Sequence, residues 1–507
     1  MPHHAENRPA RNRTDPDLRN SPDLRDSGAG PAPGADDPAT RADDARAELA
    51  QPGAGRVEDV VPFGAALRAW FAISLQTFGG PAGQIAVMQR ALVDDRRWIG
   101  QRRFLHALNY CMLLPGPEAH QLAIYVGWLL NGLRGGLAAG ILFVLPGMVA
   151  LLALSAIYVG FGDTTAVAAL FTGLGAAVIA IVVQAVVRVG RRALTHPVLV
   201  GLAVAAFVAL AAFGVPFPIV IGAAALLGWL AARRIPALAR AGGHAPAADD
   251  GPAPLIPDDH LHTEAPSRRR TVTILAVGLL VWTAPVALIA LITGVSSVYT
   301  TQGVFFSGAA LVTFGGAYAV LAYVAQQAVT NFGWLTATDM TRGLALAEST
   351  PGPLIMVVQF VAFLGAYANP GPFDPWTAGI VASLLVTWVT FVPSFLFIFL
   401  GAPYIEALRS NRTLAAALTG ITAAVVGVIA NLALYFAVTT LFAATRHITT
   451  GPLSLTIPEL TSLRPVPLLI AAVAALLVFA TRWSVLRVLG VCATLGLAAG
   501  LLGLPVA

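Results

Sequence analysis

Long apolar stretches, each close to twenty residues, follow one another from about residue 64 to about residue 505, with short polar segments between them. A stretch of this length crosses the hydrocarbon core of a bilayer as an α-helix. None of them shows the strict alternation that is typical of membrane barrels, so the spans are predicted to be helical. The pattern therefore predicts an all-α integral membrane protein.

Composition supports the membrane assignment. The 507 residues are 57% hydrophobic and 11% charged, whereas soluble domains carry about 25% charged residues. All 31 basic residues are arginines and the net charge is only +5, which indicates a role in membrane topology rather than nucleic-acid binding. The two cysteines, Cys111 and Cys492, both lie in apolar stretches, so neither a disulfide framework nor a metal site is expected.

Two segments differ from the apolar majority. Residues 1–60 contain twelve of the 26 acidic residues and no apolar run, so we expect a disordered cytoplasmic tail rather than a signal peptide. Residues 235–270 form a second polar segment and are expected to be a cytoplasmic linker. The histidine pairs in these segments, His3–His4 and His260 with His262, are expected to bind no metal.

The apolar part of the chain divides into two similar halves. The string Thr-Phe-Gly-Gly at 77–80 recurs at 313–316, and the string Pro-Gly-Pro at 115–117 recurs at 351–353. Both recurrences have the same offset of 236 residues. Because the order of the strings is also conserved, the matches indicate an internal duplication.

The duplication continues beyond these strings. Pro146 matches Pro393 at an offset of 247, and the eleven extra residues fall around 369–375. We call residues 61–234 the first half and residues 301–507 the second half. The expected organisation is a tail (1–60), an N-terminal repeat (61–234), a linker (235–270), a linking transmembrane helix (271–300) and a C-terminal repeat (301–507).

The arginines predict the orientation of the two halves. First-half loops contain clusters of arginine, at Arg90–Arg103, Arg134, Arg188–Arg192 and Arg233–Arg240. The matching second-half loops have almost none, and that half instead carries Arg409 and Arg412. Since arginine marks the cytoplasmic side, the halves are expected to have opposite orientations, with the helix near 272–293 as the extra crossing. An inverted-topology repeat of this kind is typical of secondary transporters.

The arginines also constrain the interrupted stretches. Arg102–Arg103 and Arg134 flank the stretch 111–125, so we expect the chain to turn at Pro-Gly-Pro and leave by the face it came from. Residues 64–79 and 82–94 similarly indicate two short helices. The alternative, one full span each, places five arginines on the outer side. The prediction is therefore a fold of transmembrane helices and re-entrant half-helices.

We call the strings Thr77–Gly80, Pro115–Pro117, Thr313–Gly316 and Pro351–Pro353 the four breaks. Non-helical backbone persists at membrane depth only where it is buried or lines a wet cavity. Proline ends the preceding helix, glycine permits the turn, and the following half-helix presents free N–H groups with partial positive charge. Four such N-termini predict a site for a compact oxyanion at the membrane midplane. Packing kinks are the simpler alternative, which four matched positions disfavour.

The candidate binding residues are glycines of the breaks, together with neutral donors and carboxylates beside them. They are Gly79, Gly80, Gln84, Asn109, Gly116, Glu118, Gln121, Gly315, Gly316, Glu348, Ser349, Thr350, Gly352 and Gln359. Carboxylates are costly inside a membrane, so Glu118 and Glu348 are functional candidates. For Glu118 two roles stay open, a carrier of a coupling proton and a structural cap of its half-helix. His120 is expected to be a packing residue.

Charged side chains near the membrane surfaces suggest further roles. One arginine cluster is expected to form a cytoplasmic funnel that attracts anions, and setting topology is its alternative role. The residues of this cluster are Arg90, Arg96, Arg97, Arg102 and Arg103. On the opposite side, Asp339 and Arg342 are able to pair at the outer mouth, and the expectation is that both are solvated.

Several of these strings resemble a known family. FGGPAGQIAVMQR (78–90), LLPGPEAHQLAIYVGWLLNGLRGG (113–136) and AGILFVLPG (139–147) are similar to the signature of the chromate ion transporters. TFGGAYAVLAYV and ESTPGPL in the second half resemble the C-terminal copy of that family. The resemblance covers residues from about 64 to 505, in the long two-domain form.

The resemblance implies a secondary transporter that exports chromate across the bacterial inner membrane and confers chromate resistance. Sulfate is a structural look-alike of chromate. The expected partners are a chromate-like or sulfate-like oxyanion and the lipid bilayer, with the N-terminus in the cytoplasm. No nucleic acid, metal or cofactor is expected, and a homodimer is left open.

Three alternatives can be compared with this expectation. An uptake symporter for sulfate or another small anion fits the same scaffold. A channel also fits, although an inverted repeat favours alternating access. A membrane enzyme is disfavoured, because the apolar part contains no Gly-rich nucleotide loop, Cys pair or His–carboxylate metal cluster.

Overall fold

The computed structural model describes residues 59–162, 164–235, 254–256, 267–314, 316–401, 412–481 and 483–505. Several predictions lie outside these residues: the tail except residues 59 and 60, most of the linker, both histidine pairs, Gly315 and Arg409. Residues 254–256 belong to the predicted linker. They pair with the loop before Gly100, where the backbone N–H of Ile256 donates to the carbonyl of Trp98 at 3.1 Å.

The helices of the first half are α1 (Phe63–Ser74), α2 (Gly80–Gln89), α3 (Gln101–Cys111), α4 (Glu118–Phe161), α5 (Thr165–Ala193), α6 (Pro197–Phe213) and α7 (Phe217–Arg234). A π-helical turn, Arg90–Asp95, follows α2. Helix α4 consists of two segments joined at Asn131 and Gly132, which have non-helical dihedral angles. Since Gly127 packs against Gly135, the two segments run antiparallel.

Helix α8 (Arg268–Thr293) follows the linker, where the linking transmembrane helix was predicted. The helices of the second half are α9 (Val298–Leu311), α10 (Ala317–Gln326), α11 (Ala337–Ser349), α12 (Val357–Ala368), α13 (Pro375–Gly401), α14 (Arg412–Leu441), α15 (Pro465–Phe479) and α16 (Val485–Leu501). A π-helical turn (Gln327–Asn331) follows α10, and a 3₁₀ turn (Leu354–Met356) leads into α12.

A short β-hairpin separates α14 from α15. Strand β1 (Thr445–Thr450) pairs antiparallel with β2 (Leu453–Pro458), and Gly451 in the turn has a positive φ of 60°. The all-α prediction did not include this hairpin. The segment is rich in threonine and other β-branched residues, and its two-residue turn, Gly451–Pro452, has glycine at the first central position, as one class of hairpin turn requires.

Proline sets where many of these helices begin. Helices α2, α6, α7 and α15 each carry proline at their first or second position, where its missing N–H costs nothing and its fixed φ suits the helix. Pro117 directly precedes α4 as its N-cap residue. The apolar pattern predicts the helices, and the prolines divide it into segments.

The chain reverses direction at the Pro115–Pro117 break. Arg103 in α3 donates from Nη2 to the hydroxyl of Tyr125 in α4 at 3.3 Å. The rings of Tyr110 and Tyr125 lie 6.0 Å apart. In a straight helix, residues with the separation of Arg103 and Tyr125 would be roughly 33 Å apart. Helix α3 and the first segment of α4 therefore lie side by side, with the break at their tip.

The two halves are interleaved. Helix α5 of the first half packs against α15 and α16 of the second, while α14 of the second half packs against α6 and α7 of the first. The close approaches use glycine in both cases: Gly173 of α5 meets Gly496 of α16, and Gly420 of α14 meets Gly228 of α7. Small residues allow helix backbones to approach closely, as in other membrane bundles.

Six helices within the described residues are long and apolar enough to cross a membrane: α4, α5, α7, α8, α13 and α14. Helix α8 has few protein neighbours, since only Trp282 and Ile289 are buried and Leu291 is 85% exposed. An apolar helix that is exposed over most of its surface is suited to lipid rather than water. The protein is a multi-pass helical membrane protein.

Candidate functional site

Two backbone hydrogen bonds connect the breaks across the halves. The N–H of Gly116 donates to the carbonyl of Thr313 at 2.8 Å, and the N–H of Gly352 donates to the carbonyl of Thr77 at 2.9 Å. Gly116 and Gly352 occupy matched positions in the repeat, as do Thr77 and Thr313. Each Pro-Gly-Pro break is therefore bonded to the Thr-Phe-Gly-Gly break of the other half.

The glycines of the Pro-Gly-Pro breaks have a backbone conformation that other residues rarely adopt. Gly116 has a φ of 119° and Gly352 a φ of 106°. A Cβ on Gly116 would lie 3.2 Å from Oγ of Ser394, and a Cβ on Gly352 would lie 3.3 Å from Cα of Gly147. Ser394 and Gly147 are themselves matched positions, each following the proline inside a long helix.

A helix begins at or directly after each break. Helix α2 begins at Gly80, α4 at Glu118 and α10 at Ala317, and the apolar helix Leu354–Ala368 follows Pro353. Among the described residues, no side chain hydrogen-bonds to cap any of these starts. Their first N–H groups are therefore not satisfied by side chains, which suits anion binding at helix N-termini.

The three glutamines among the candidates direct their amide groups to backbone carbonyls. Nε2 of Gln84 donates to Gly352 at 2.6 Å, and Nε2 of Gln121 donates to Pro115 at 2.6 Å. Gln359 lies six residues after Pro353, further from its break than the other two glutamines, and donates to the carbonyl of Met148 at 3.0 Å. Gln84 and Gln121 therefore stabilise the backbone of the Pro-Gly-Pro breaks, whereas Gln359 joins its helix to α4.

Glu348 lies buried at the end of α11, directly before the last break. Tyr318 of α10 donates its hydroxyl to Oε1 of Glu348 at 2.5 Å. Within the described residues, Oε2 of Glu348 is buried and has no hydrogen-bond partner. A Cβ on Gly80 would lie 4.0 Å from the Tyr318 hydroxyl, so Tyr318 joins Glu348 to the start of α2.

Glu118 is only half-buried, at the first position of α4. Met112, on the other side of the same break, is 51% exposed. Glu118 is therefore partly accessible, whereas Glu348 is enclosed. His120 is fully buried and packs edge-on against Phe391 and Phe395.

The remaining polar candidates have varied surroundings. Asn109 is exposed on α3. The hydroxyls of Ser349 and Thr350 donate to the carbonyls of Leu346 and Ala347, at 2.8 and 3.1 Å. Both hydroxyls thus complete the last turn of α11. Gly79 and Gly316 are the N-cap residues of α2 and α10, with φ of 79° and 102°.

The predicted funnel arginines separate into two groups. Arg90, Arg96 and Arg102 are exposed, Arg97 is half-exposed, and Arg96 lies over the ring of Trp98 with its Cζ 5.6 Å from the centroid. Arg103 is buried between α3 and α4, where it bonds to Tyr125.

At the other end of the molecule, Asp339 and Arg342 are joined through Tyr158. The Tyr158 hydroxyl donates to Oδ1 of Asp339 and accepts from Nη1 of Arg342, the latter at 3.0 Å. Asp339 also caps the start of α11 together with Thr336. This cluster connects α4 of the first half with α11 of the second.

Sequence reasoning missed several of these residues. Tyr318 is a polar group two residues after Gly316 in an otherwise apolar helix, and that position was its only signal. The carbonyls of Thr77 and Thr313 carry no signal in the side chain. These carbonyls accept hydrogen bonds only because the fold brings each of them next to a break of the other half.

The fold and these breaks define a multi-pass membrane protein with a polar centre built from interrupted helices. The family model described as "Chromate transporter" matches residues 65–229 and 300–497. The chain belongs to the chromate transporter family. Members of this family are transport proteins, so the chain is not an enzyme.

Curated relatives agree with this assignment. The chain is 34% identical over 361 residues to the chromate transport protein of Pseudomonas aeruginosa, covering 70% of this chain and 76% of the relative. It is 28% identical to the chromate transport protein of Cupriavidus metallidurans, covering 69% and 77%. A probable chromate transport protein of Synechococcus elongatus is 25% identical. No solved structure matches the chain.

Proposed function

We propose that the protein is a secondary transporter that exports chromate across the bacterial inner membrane, with its N-terminus in the cytoplasm, and so confers chromate resistance. One observation carries the proposal: the exchanged hydrogen bonds Gly116–Thr313 and Gly352–Thr77. They bring four interrupted helices to one place. Half-helices that meet in this way form the substrate sites of many secondary transporters.

The two halves are proposed to be an inverted-topology repeat. The two hydrogen bonds between the breaks support this proposal. In each of them, the glycine N–H of a Pro-Gly-Pro break in one half donates to the threonine carbonyl of the Thr-Phe-Gly-Gly break in the other half. The interleaving of α5 with α15 and α16, and of α14 with α6 and α7, supports it as well. Alternating access would then move one half relative to the other around the breaks.

The anion is proposed to bind among the uncapped N-termini of α2, α4, α10 and the helix after Pro353. Their N–H groups and dipoles supply partial positive charge without a metal. In this proposal Gln84 and Gln121 hold the backbone in place. The exposed arginines Arg90, Arg96 and Arg102 attract anions to the cytoplasmic side.

The direction of transport is proposed from the charge of the substrate. One charge that crosses a potential of 100 mV changes free energy by about 2.3 kcal/mol, so a dianion leaving a negative interior gains roughly 4.6 kcal/mol. Export therefore needs no coupled ion. Uptake of the same dianion against this potential would need several.

The test is transport of radiolabelled chromate into everted membrane vesicles that contain the full chain. We expect accumulation when the imposed potential is positive inside, and less accumulation when sulfate is present. Reversal of the potential should abolish the accumulation. Vesicles without the protein are the control.

Two results would contradict the proposal. Chromate that does not accumulate at either polarity would exclude electrogenic export. Accumulation of sulfate in right-side-out vesicles, driven by a proton or sodium gradient, would instead indicate uptake.

A further inference from the structure

The buried face of α5 ends in arginines. Leu174, Val178, Ile181 and Ala185 form a buried stripe along this helix at helical spacing. Arg188 and Arg192 continue the same stripe by three and four residues, yet both are exposed. The stripe therefore leaves the packed interior of the protein at the last turn of α5.

The guanidinium of Arg188 is held back along α5. Its Nη2 donates to Oε1 of Gln184, one turn nearer the start of α5, at 2.8 Å. Side chains on a helix point toward its N-terminus, and this hydrogen bond fixes that direction. Because the arginines lie at the C-terminal end of α5, Arg188 points back along the helix, away from that exposed end.

Each arginine has a carboxylate of the breaks as its electrostatic partner. The positive charge of Arg188 acts on Glu348, and that of Arg192 acts on Glu118. Helix α5 also packs directly against α11, which carries Glu348. Both arginines therefore supply positive charge to the acidic side chains beside the breaks.

We propose that Arg188 and Arg192 are substrate-binding residues, which take a divalent oxyanion from the cytoplasmic side and pass it to the breaks. This inference rests on the proposed chromate transport and assigns residues to it. The physical need is clear, since a dianion that approaches Glu118 and Glu348 would be repelled by any negative charge on them. Guanidinium groups bind tetrahedral oxyanions through paired N–H donors.

Arg191 supplies a matched control. It lies in the same turn of α5 and is equally exposed, but its direction is roughly a quarter-turn away from the stripe, given about 100° per residue. Replacing Arg191 removes one positive charge from this end of α5, just as replacing Arg188 or Arg192 does. If only the number of arginines matters, the three substitutions should therefore have equal effects on transport.

The experiment measures the chromate concentration for half-maximal uptake into everted vesicles, whose outer side is the cytoplasmic face. We compare Arg188→Gln, Arg192→Gln and Arg191→Gln in the full chain. For the first two we expect this concentration to rise about tenfold, as loss of a charge-assisted contact predicts. For Arg191→Gln we expect less than about a twofold change. Arg188→Lys should recover part of the affinity, because the charge remains.

A double variant separates binding from neutralisation of Glu348. If Arg188 only compensates the charge of Glu348, then Arg188→Gln with Glu348→Gln should restore wild-type affinity. If Arg188 binds the anion, the double variant should stay as weak as Arg188→Gln. Restored affinity, or equal effects of all three single variants, overturns the inference while the wild type still transports chromate. Absence of transport in the wild type would instead overturn the proposed function.

Discussion

Individual residues at the breaks have geometric requirements that their neighbours do not share. Gly116 and Gly352 have positive φ angles and donate the exchanged hydrogen bonds with their N–H groups. A side chain at either position is disfavoured by the backbone conformation and by the nearby atoms. The breaks therefore depend on glycine for geometric reasons as well as for flexibility.

Gly116→Ala is expected to reduce both stability and transport. The strained backbone should cost about 1–3 kcal/mol in the free energy of unfolding. A new Cβ would also lie 2.9 Å from Nε2 of Gln121. Thermal unfolding in detergent, followed by tryptophan fluorescence, measures the effect. Gly222→Ala, in an open helical position of α7, is the control and should unfold at the wild-type temperature or slightly above it.

Glu118→Gln tests whether this carboxyl carries a proton. If it does, the variant should lose the part of the wild-type pH dependence that this carboxyl contributes, because glutamine cannot titrate. Uptake is measured in everted vesicles over a pH series. Glu459→Gln makes the same change in a residue outside the helices and should keep the wild-type profile. A Glu118→Gln profile identical to the wild type would leave only the structural cap.

At the scale of helices, close glycine contacts hold the halves together. A Cβ on Gly420 of α14 would lie 2.7 Å from Cα of Gly228 in α7. The matched contact, Gly173 with Gly496, joins α5 to α16. Both contacts bring helices of different halves to backbone distance, so the space between them has no room for a side chain.

Gly420→Val is expected to separate α14 from α7 and to destabilise the protein by about 1–3 kcal/mol, as overpacking does elsewhere. The measurement is the midpoint of thermal unfolding, together with the yield of monodisperse protein in detergent. Gly201→Val is the control, because nothing lies near that position of α6. Equal midpoints for the two variants would show that the close approach is not required.

At the scale of the whole molecule, the interleaved halves should depend on each other. If the chain is split in the predicted linker, the fragments 1–250 and 251–507 should co-purify when they are expressed together. Each fragment alone would expose the glycine face of its long helix, so we expect low yield and no chromate transport. Co-purification from membranes and vesicle uptake measure this. A first-half fragment that is stable and active alone would contradict it.

Much of this architecture follows from the sequence by itself. The apolar stretches predict the helices, because a bilayer requires about twenty apolar residues for each crossing. The prolines and glycines of Pro115–Pro117 and Pro351–Pro353 predict where helices stop, since these residues act on the local backbone. Family membership follows from the same strings. The β-hairpin at Thr445–Pro458 was detectable in principle from its threonines and Gly451.

Tertiary structure decided which residues meet. The sequence placed Gln84 and Gln121 near the breaks, but only the fold shows that they donate to the carbonyls of Gly352 and Pro115. The partnership of Tyr318 with Glu348 joins residues on different helices. The local sequence pattern indicates which secondary structure each segment prefers, whereas these contacts depend on how the two halves of the chain pack. That packing is set by long-range geometry that no single segment encodes.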